Sequence, residues 1–165
     1  MLSSKEEEQR TAAIQAFANH LTSPSAATIA EFIDNGQYRS QVLNALSNSP
    51  LHLIASFIPF VEKCIDETWR RSEPNGAFNA YNQQLIVVLD ILTAFPLERF
   101  PPALFHKAAY SLDRVGGYIG TAYGDSWAAH NTWNARKGDL SPEIVKELRH
   151  VAEQYMYFRL QQLLE

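Results

Sequence analysis

The stretch that decides the fold is Leu85-Ile86-Val87-Val88-Leu89-Asp90-Ile91-Leu92, near the middle of the 165-residue chain. Its apolar residues would fall on nearly every side of a helix, which is typical of a central helix that other helices surround. The β-branched run Ile-Val-Val is also compatible with a strand. We favour a helix over 78–95, because the apolar run continues to Phe95 and no partner strand is visible elsewhere in the sequence.

Helix start and stop signals recur on both sides of this stretch. Ser4 and Glu7 form a capping box, and Ser141-Pro142-Glu143 is a strong helix start. Pro102 begins a further helix, since proline is tolerated at the first helical position. The sequence therefore predicts an all-α fold, a single irregular orthogonal or bundle-like domain of seven to eight helices over residues 1–165.

Three local expectations follow from this interpretation. The helix from Leu51 to Arg71 contains Pro59, which removes a backbone donor, so we expect a kink or a break there. Asp90 is the odd residue of the central helix; if it is buried it needs a partner, and we expect that partner to be structural. The last helix carries a stripe that we expect to face the core. Its members are Ile144, Leu148, Val151, Tyr155 and Phe158.

Composition and charge narrow the possible partners and compartments. A net charge of −4 argues against nucleic acid and against anionic membrane surfaces, since both bind dense basic footprints. No apolar run is long enough to span a bilayer, and the N-terminus lacks the apolar segment of a signal peptide. The one cysteine, Cys64, permits no intramolecular disulfide. We therefore expect a soluble cytoplasmic protein.

The histidines and Cys64 show no metal-binding pattern. His20, His52 and His106 are isolated in the sequence and have no zinc spacing with Cys64. Glu147-Leu148-Arg149-His150 is one copy of a di-iron motif that needs two copies and further glutamates. We therefore expect no metal and no cofactor.

Asp125, Ser126 and His130 come nearest to a catalytic triad. Ser126 and His130 are four residues apart and would meet on a helix. Asp125 would point about 100° away from Ser126, whereas a triad needs the acid beyond the imidazole. Helix capping by Asp125 or Ser126 fits better, and we assign no catalytic residue.

The most unusual part of the sequence begins at Gly116. Four of the seven glycines lie between residues 116 and 124, and each glycine in a helix costs about 1 kcal/mol relative to alanine. Gly116, Gly120 and Gly124 are spaced by four, so a helix would carry a bare face against which a second helix could pack closely. We favour this packing over the alternative, a mobile loop above a surface site.

Aromatic and polar residues follow the glycines and predict a binding surface. Trp127, His130 and Asn134 recur at three- and four-residue spacing and would share a helix face. Trp133 points elsewhere and is expected to anchor the helix in the core; in the alternative, both tryptophans complete the core. Exposed Trp and Arg side chains often dominate binding energy. The predicted binding residues are Tyr123, Trp127, His130, Asn131, Asn134 and Arg136.

These observations favour a non-enzymatic protein-binding domain, an adaptor or a protein of the inhibitor or immunity type. The helical layout loosely resembles that of small immunity proteins and inhibitors, although no motif carries the comparison. One alternative is an enzyme or small-ligand binder with its site around His130, which a deep pocket there would favour. Another is a DNA-binding regulator, because 28–46 could form a helix-turn-helix, although Arg39 is its one cation for reading bases.

Overall fold

The computed structural model describes residues 39–70, 77–119 and 126–165. The capping box at Ser4 and Glu7, the turn at Gly36, and Tyr123 and Asp125 lie outside the described residues. Seven α-helices and two short 3-10 helices, with no strand, occupy the described ranges, so the predicted all-α class is confirmed there. The α-helices are α1 (Arg39–Ser47), α2 (Leu51–Arg70), α3 (Ala77–Ala94), α4 (Pro102–Ile119), α5 (Ser126–Arg136), α6 (Pro142–Gln154) and α7 (Phe158–Leu163); the 3-10 helices are Leu97–Arg99 and Lys137–Asp139.

Helix α3 is the centre of the packing, as its apolar composition predicted. Helices α1, α2, α4 and α5 all pack against it. Leu85, Val87 and Val88 lie on different sides of α3, and each is fully buried. Their burial on several sides explains why this stretch is apolar nearly all round, because a helix covered by four others has almost no solvated face.

We expected a kink or a break at Pro59. Helix α2 continues through this residue, so the break is absent, and the kink stays a prediction. A proline inside a helix leaves the carbonyl four residues earlier without its usual amide donor, which here is the carbonyl of Ala55. Both Pro59 and Ala55 are exposed. Water can therefore hydrate the Ala55 carbonyl, and the buried side of α2, with Phe57 and Val61, is undisturbed.

The end of α6 differs from the expected stripe. Ile144, Leu148 and Val151 are buried as predicted, but the expectation that Tyr155 and Phe158 face the core is wrong, since they are 48% and 64% exposed. The helix ends at Gln154, and Met156 adopts a left-handed φ of 55°. The amide of Tyr157 then donates to the carbonyl of Ala152, and the amide of Met156 donates to that of Glu153, in the pattern of a Schellman motif. Helix α7 begins directly after this reversal. The side chains of Tyr155 and Phe158, the last two residues of the predicted stripe, therefore face solvent.

Helix α7 folds back onto the first two glycines of the cluster, both of which lie in α4. A Cβ atom on Gly116 would come within 3.0 Å of Leu163 and 3.2 Å of Arg159 Cβ, and a Cβ on Gly117 would meet the Arg159 guanidinium at 2.9 Å. Gly116 belongs to the predicted bare face, and there the packing interpretation is confirmed; Gly117, which that face did not include, packs against α7 as well. Gly120 and Gly124 lie outside the described residues.

Candidate functional site

Helix α5 carries most of the predicted binding residues, and buried contacts hold it on α3 and α4. Ala129 is fully buried and Trp133 is 4% exposed, so both belong to the core. Beside them, the Thr132 hydroxyl donates to Asn82 Oδ1 of α3 at 2.7 Å. The inner face of α5 is therefore fixed by packing and by the Thr132–Asn82 hydrogen bond, with Trp133 as the anchor that the spacing predicted.

The outer face of α5 presents Trp127, which is 62% exposed. Its ring lies 5.9 Å from the His130 ring, one turn further along the helix. Asn131 and Asn134 are also exposed. The structure thus brings together four predicted residues, Trp127, His130, Asn131 and Asn134, which we call the α5 face.

Both ring nitrogens of His130 have hydrogen-bond partners. Nδ1 lies 3.2 Å from the carbonyl oxygen of Ile119, and Nε2 lies 2.9 Å from the Asn134 side-chain nitrogen. A neutral ring with its hydrogen on Nδ1 satisfies both contacts, because it donates to the carbonyl while Nε2 accepts from the amide. His130 therefore ties α5 to the end of α4 and orients Asn134.

Arg136 is directed away from the α5 face. Its guanidinium binds Asp90 Oδ1 at 2.7 Å and lies 3.4 Å from Asp139. On its other oxygen, Asp90 binds Arg39 at 3.2 Å, and the side chains of Asp90 and Arg39 are only 8% and 7% exposed. Asp90 therefore has the structural partners that a buried carboxylate requires. Through them it joins α1, α3 and the end of α5.

Comparison identifies no matching family model, no similar curated protein and no similar solved structure.

Within the described ranges, no helix has both the length and the apolar character needed to cross a bilayer. Among the same residues, no cluster of three His, Cys, Asp or Glu side chains could hold a metal ion.

Among the clefts that described residues line are three that include no residue of α5. One, of about 430 Å³, lies between the Leu97–Arg99 turn, α4 and α6. Another, of about 360 Å³, lies between the end of α3 and the start of α6. The third, of about 410 Å³, lies among α2, α3, α4 and Tyr157. The first and third share His106, which makes this histidine the wall between two clefts.

His106 sits in a cluster of tyrosines that the sequence analysis missed. Its Nε2 is 3.0 Å from the hydroxyl of Tyr157, and its ring centroid is 4.4 Å from that of Tyr155. The Tyr110 ring lies 5.9 Å from the Tyr157 ring on the other side. Burial, and then the neighbouring Asp113, Tyr110 and Tyr155, raise the pKa of Tyr157. At neutral pH Tyr157 is therefore a phenol that can donate its hydrogen to His106.

Sequence spacing offered little sign of this cluster. His106 and Tyr110 are one helical turn apart on α4, and that pair alone is an ordinary helix neighbour contact. Tyr155 and Tyr157 join them only because the chain reverses at Met156. A residue with a left-handed φ is usually glycine, so a methionine at this position does not indicate a chain reversal in the sequence.

Proposed function

We propose that the protein is a non-enzymatic protein-binding domain of the adaptor or inhibitor type, and that the α5 face is its contact surface. The observation that carries the proposal is the 62% exposure of Trp127 on a helix whose other tryptophan, Trp133, is the core anchor. An exposed tryptophan contributes nothing to the core, whereas tryptophan is among the side chains that most often dominate binding energy.

The local order of the α5 face also supports this function. Asn134 is held by His130, and His130 is held by the Ile119 carbonyl, so these polar groups are oriented before any partner arrives. Order of this kind lowers the entropy that a surface loses on binding. Of the described exposed side chains of α5, none is charged. The expected partner therefore offers an apolar recess for Trp127 and hydrogen-bonding groups for Asn131 and Asn134, and its affinity should respond weakly to salt.

Two alternatives have less support. Catalysis or small-ligand binding at His130 would need a deep pocket there, and the three clefts described above include no residue of α5. DNA binding through 28–46 needs Arg39 at the surface, whereas Arg39 is 6% exposed and paired with Asp90. Part of that segment, residues 28–38, lies outside the described residues.

The test separates the two tryptophans. Trp127→Ala should change the free energy of unfolding by no more than about 0.5 kcal/mol, as is usual for surface substitutions. It should weaken binding to a partner purified from the native host by about 2 kcal/mol or more, which is roughly thirtyfold in Kd. Trp133→Ala should instead destabilise the fold by about 3–5 kcal/mol.

Phe158→Ala is the matched control, because Phe158 is 64% exposed but lies on α7. It removes an exposed aromatic ring from a different helix and should leave the affinity unchanged. Calorimetric titration of the three variants with the partner gives the comparison. Normal binding by Trp127→Ala, or equal losses in Trp127→Ala and Phe158→Ala, would refute the assignment of the α5 face.

A further inference from the structure

The cleft between the Leu97–Arg99 turn, α4 and α6 has the size and the lining of a small-molecule site. Its volume of about 430 Å³ is within the range of roughly 300–1,000 Å³ that such sites occupy. Glu147 and Val151 line it from α6, and Phe105 and His106 line it from α4. We call it the Glu147 cleft, because no other Asp or Glu and no Lys or Arg lines it.

The Glu147 carboxylate is partly buried and has no protein partner. Among the described residues, no cation lies within ion-pair distance of it and no group donates a hydrogen bond to it. Lys146 and Arg149, its nearest cations in the sequence, do not line the cleft, and Arg149 binds the carbonyl of Leu164 at 2.7 Å. A partly desolvated carboxylate without a counter-charge favours a cation beside it.

A ligand in the cleft can reach this carboxylate. Three described side chains have buried polar atoms that lack a hydrogen-bond partner, and Glu147 is not one of them. Since the Glu147 oxygens have no protein partner either, both of them keep contact with solvent. The negative charge of the cleft is therefore accessible.

The other walls of the cleft are mainly apolar and aromatic. Phe100 and Phe105 meet edge to face, with their ring centroids 5.0 Å apart. The rings of His106 and Tyr155 pack in a similar way, with centroids 4.4 Å apart, and Tyr155 is 48% exposed. Rings held in this manner can pack against an apolar ligand body and attract a cation placed over their faces.

The single carboxylate and the aromatic walls together define the chemistry of the ligand. An ammonium group donates charge-assisted hydrogen bonds to a carboxylate, and apolar surroundings strengthen this attraction. A divalent metal ion is a poorer match, because it needs several oxygen ligands and the described residues form no cluster of three metal-binding side chains. An anion is disfavoured, because it would meet the charge of Glu147 and no Lys or Arg of the lining.

We propose that the Glu147 cleft binds a small primary amine, as its ammonium ion, with an apolar body about the size of one aromatic ring. The ammonium group donates to the Glu147 carboxylate, and the apolar body lies against the aromatic walls. The cleft shares no residue with the α5 face, so this site does not depend on the proposed protein-binding function.

The experiment is a titration of the full chain with phenethylamine at neutral pH, followed by the backbone amide resonances. Saturable shifts should include amides in 97–106 and 147–155, which carry the lining. Phenethyl alcohol keeps the ring without the charge, and ethylamine keeps the charge without the ring. Each should bind at least about tenfold more weakly than phenethylamine, a loss of about 1.4 kcal/mol. Added salt should weaken the binding of phenethylamine and leave that of phenethyl alcohol unchanged.

One cleft variant and one matched control complete the test. Glu147→Gln keeps the size of the side chain, removes the charge, and should weaken the binding of phenethylamine at least about tenfold. It breaks no ion pair or hydrogen bond, so the fold should be retained. Glu143→Gln is the control, because Glu143 is an exposed carboxylate one turn earlier on α6 and lies outside the lining. It changes the net charge equally and should bind the amine normally.

Four results would overturn the proposal. The first is that phenethylamine does not saturate below about 10 mM. The second is that its shifts map away from the Glu147 cleft. The third is that phenethyl alcohol binds as tightly as the amine, which would make the charge irrelevant. The fourth is that Glu147→Gln binds as the original chain does, or that Glu143→Gln loses as much affinity as Glu147→Gln.

Discussion

Replacing Asp90 by asparagine should be among the most damaging single changes in this protein. The substitution keeps the shape of the side chain, so it opens no cavity, but it removes the negative charge between Arg39 and Arg136. Arg39 is 7% exposed at its side chain and would keep a positive charge without this carboxylate. Removing one member of a buried ion pair costs about 3–5 kcal/mol. Arg136, at 29% exposure, adds less because solvent screens it.

A loss of this size is a large share of the about 5–15 kcal/mol that stabilises a typical domain. Urea unfolding followed by circular dichroism measures it. With a slope of about 2 kcal/mol per molar urea, Asp90→Asn should lower the midpoint by about 1.5–2.5 M without changing the slope. A lower slope would indicate that the unfolding is no longer two-state.

Asp139→Asn is the control for this prediction. Asp139 contacts the same arginine, Arg136, at 3.4 Å, but its side chain is 56% exposed. This substitution should change the stability by no more than about 0.5 kcal/mol, as is usual for exposed pairs. If Asp90→Asn costs less than about 1 kcal/mol, the Asp90 carboxylate is not what compensates the buried arginine, and the reasoning fails.

Two further predictions concern stability. Leu89→Ala should cost about 2–5 kcal/mol, because Leu89 is fully buried in α3; a urea midpoint shift equivalent to under 1 kcal/mol would show that α3 is not central. Met156→Gly should stabilise the fold by about 0.5–1 kcal/mol, since it relieves a left-handed residue but adds unfolded-chain entropy. A lower thermal midpoint in Met156→Gly would mean that the 68% exposed methionine side chain contributes contacts that offset its strain.

Helical periodicity predicted the parts of the fold that depend on neighbours along the chain. The burial of Ile144, Leu148 and Val151 and the opposite exposures of Trp127 and Trp133 follow from where residues fall around a helix, which sequence spacing alone determines. Helix α2, which contains Pro59, is a partial exception to this success of sequence spacing. Whether an internal proline ends a helix depends on whether the freed carbonyl can reach water, and that requires knowing which side of α2 is exposed.

The cleft among α2, α3, α4 and Tyr157 could not be predicted, because its residues come from four segments whose order in space depends on tertiary packing. Gln84 and Ser111 look like ordinary polar helix residues in the sequence, and only their burial makes them notable. The role of Arg136 was similarly hidden, since its partner Asp90 is 46 residues away. The charge of Asp90 did signal that some partner was needed, but spacing does not identify one.

The start of the last helix depends on a residue far away in the sequence. The N-cap residue Tyr157 provides no side-chain cap, and Asp113 Oδ1 of α4 instead accepts hydrogen bonds from the amides of Arg159 and Leu160, each at 3.0 Å. Six residues are too few to form a stable helix alone. Helix α7 and the end of α4 should therefore open and close as one cooperative unit. Loss of the Asp113 carboxylate should then first increase the hydrogen-exchange rate of the backbone amides of residues 159–164, about 50 positions further along the chain.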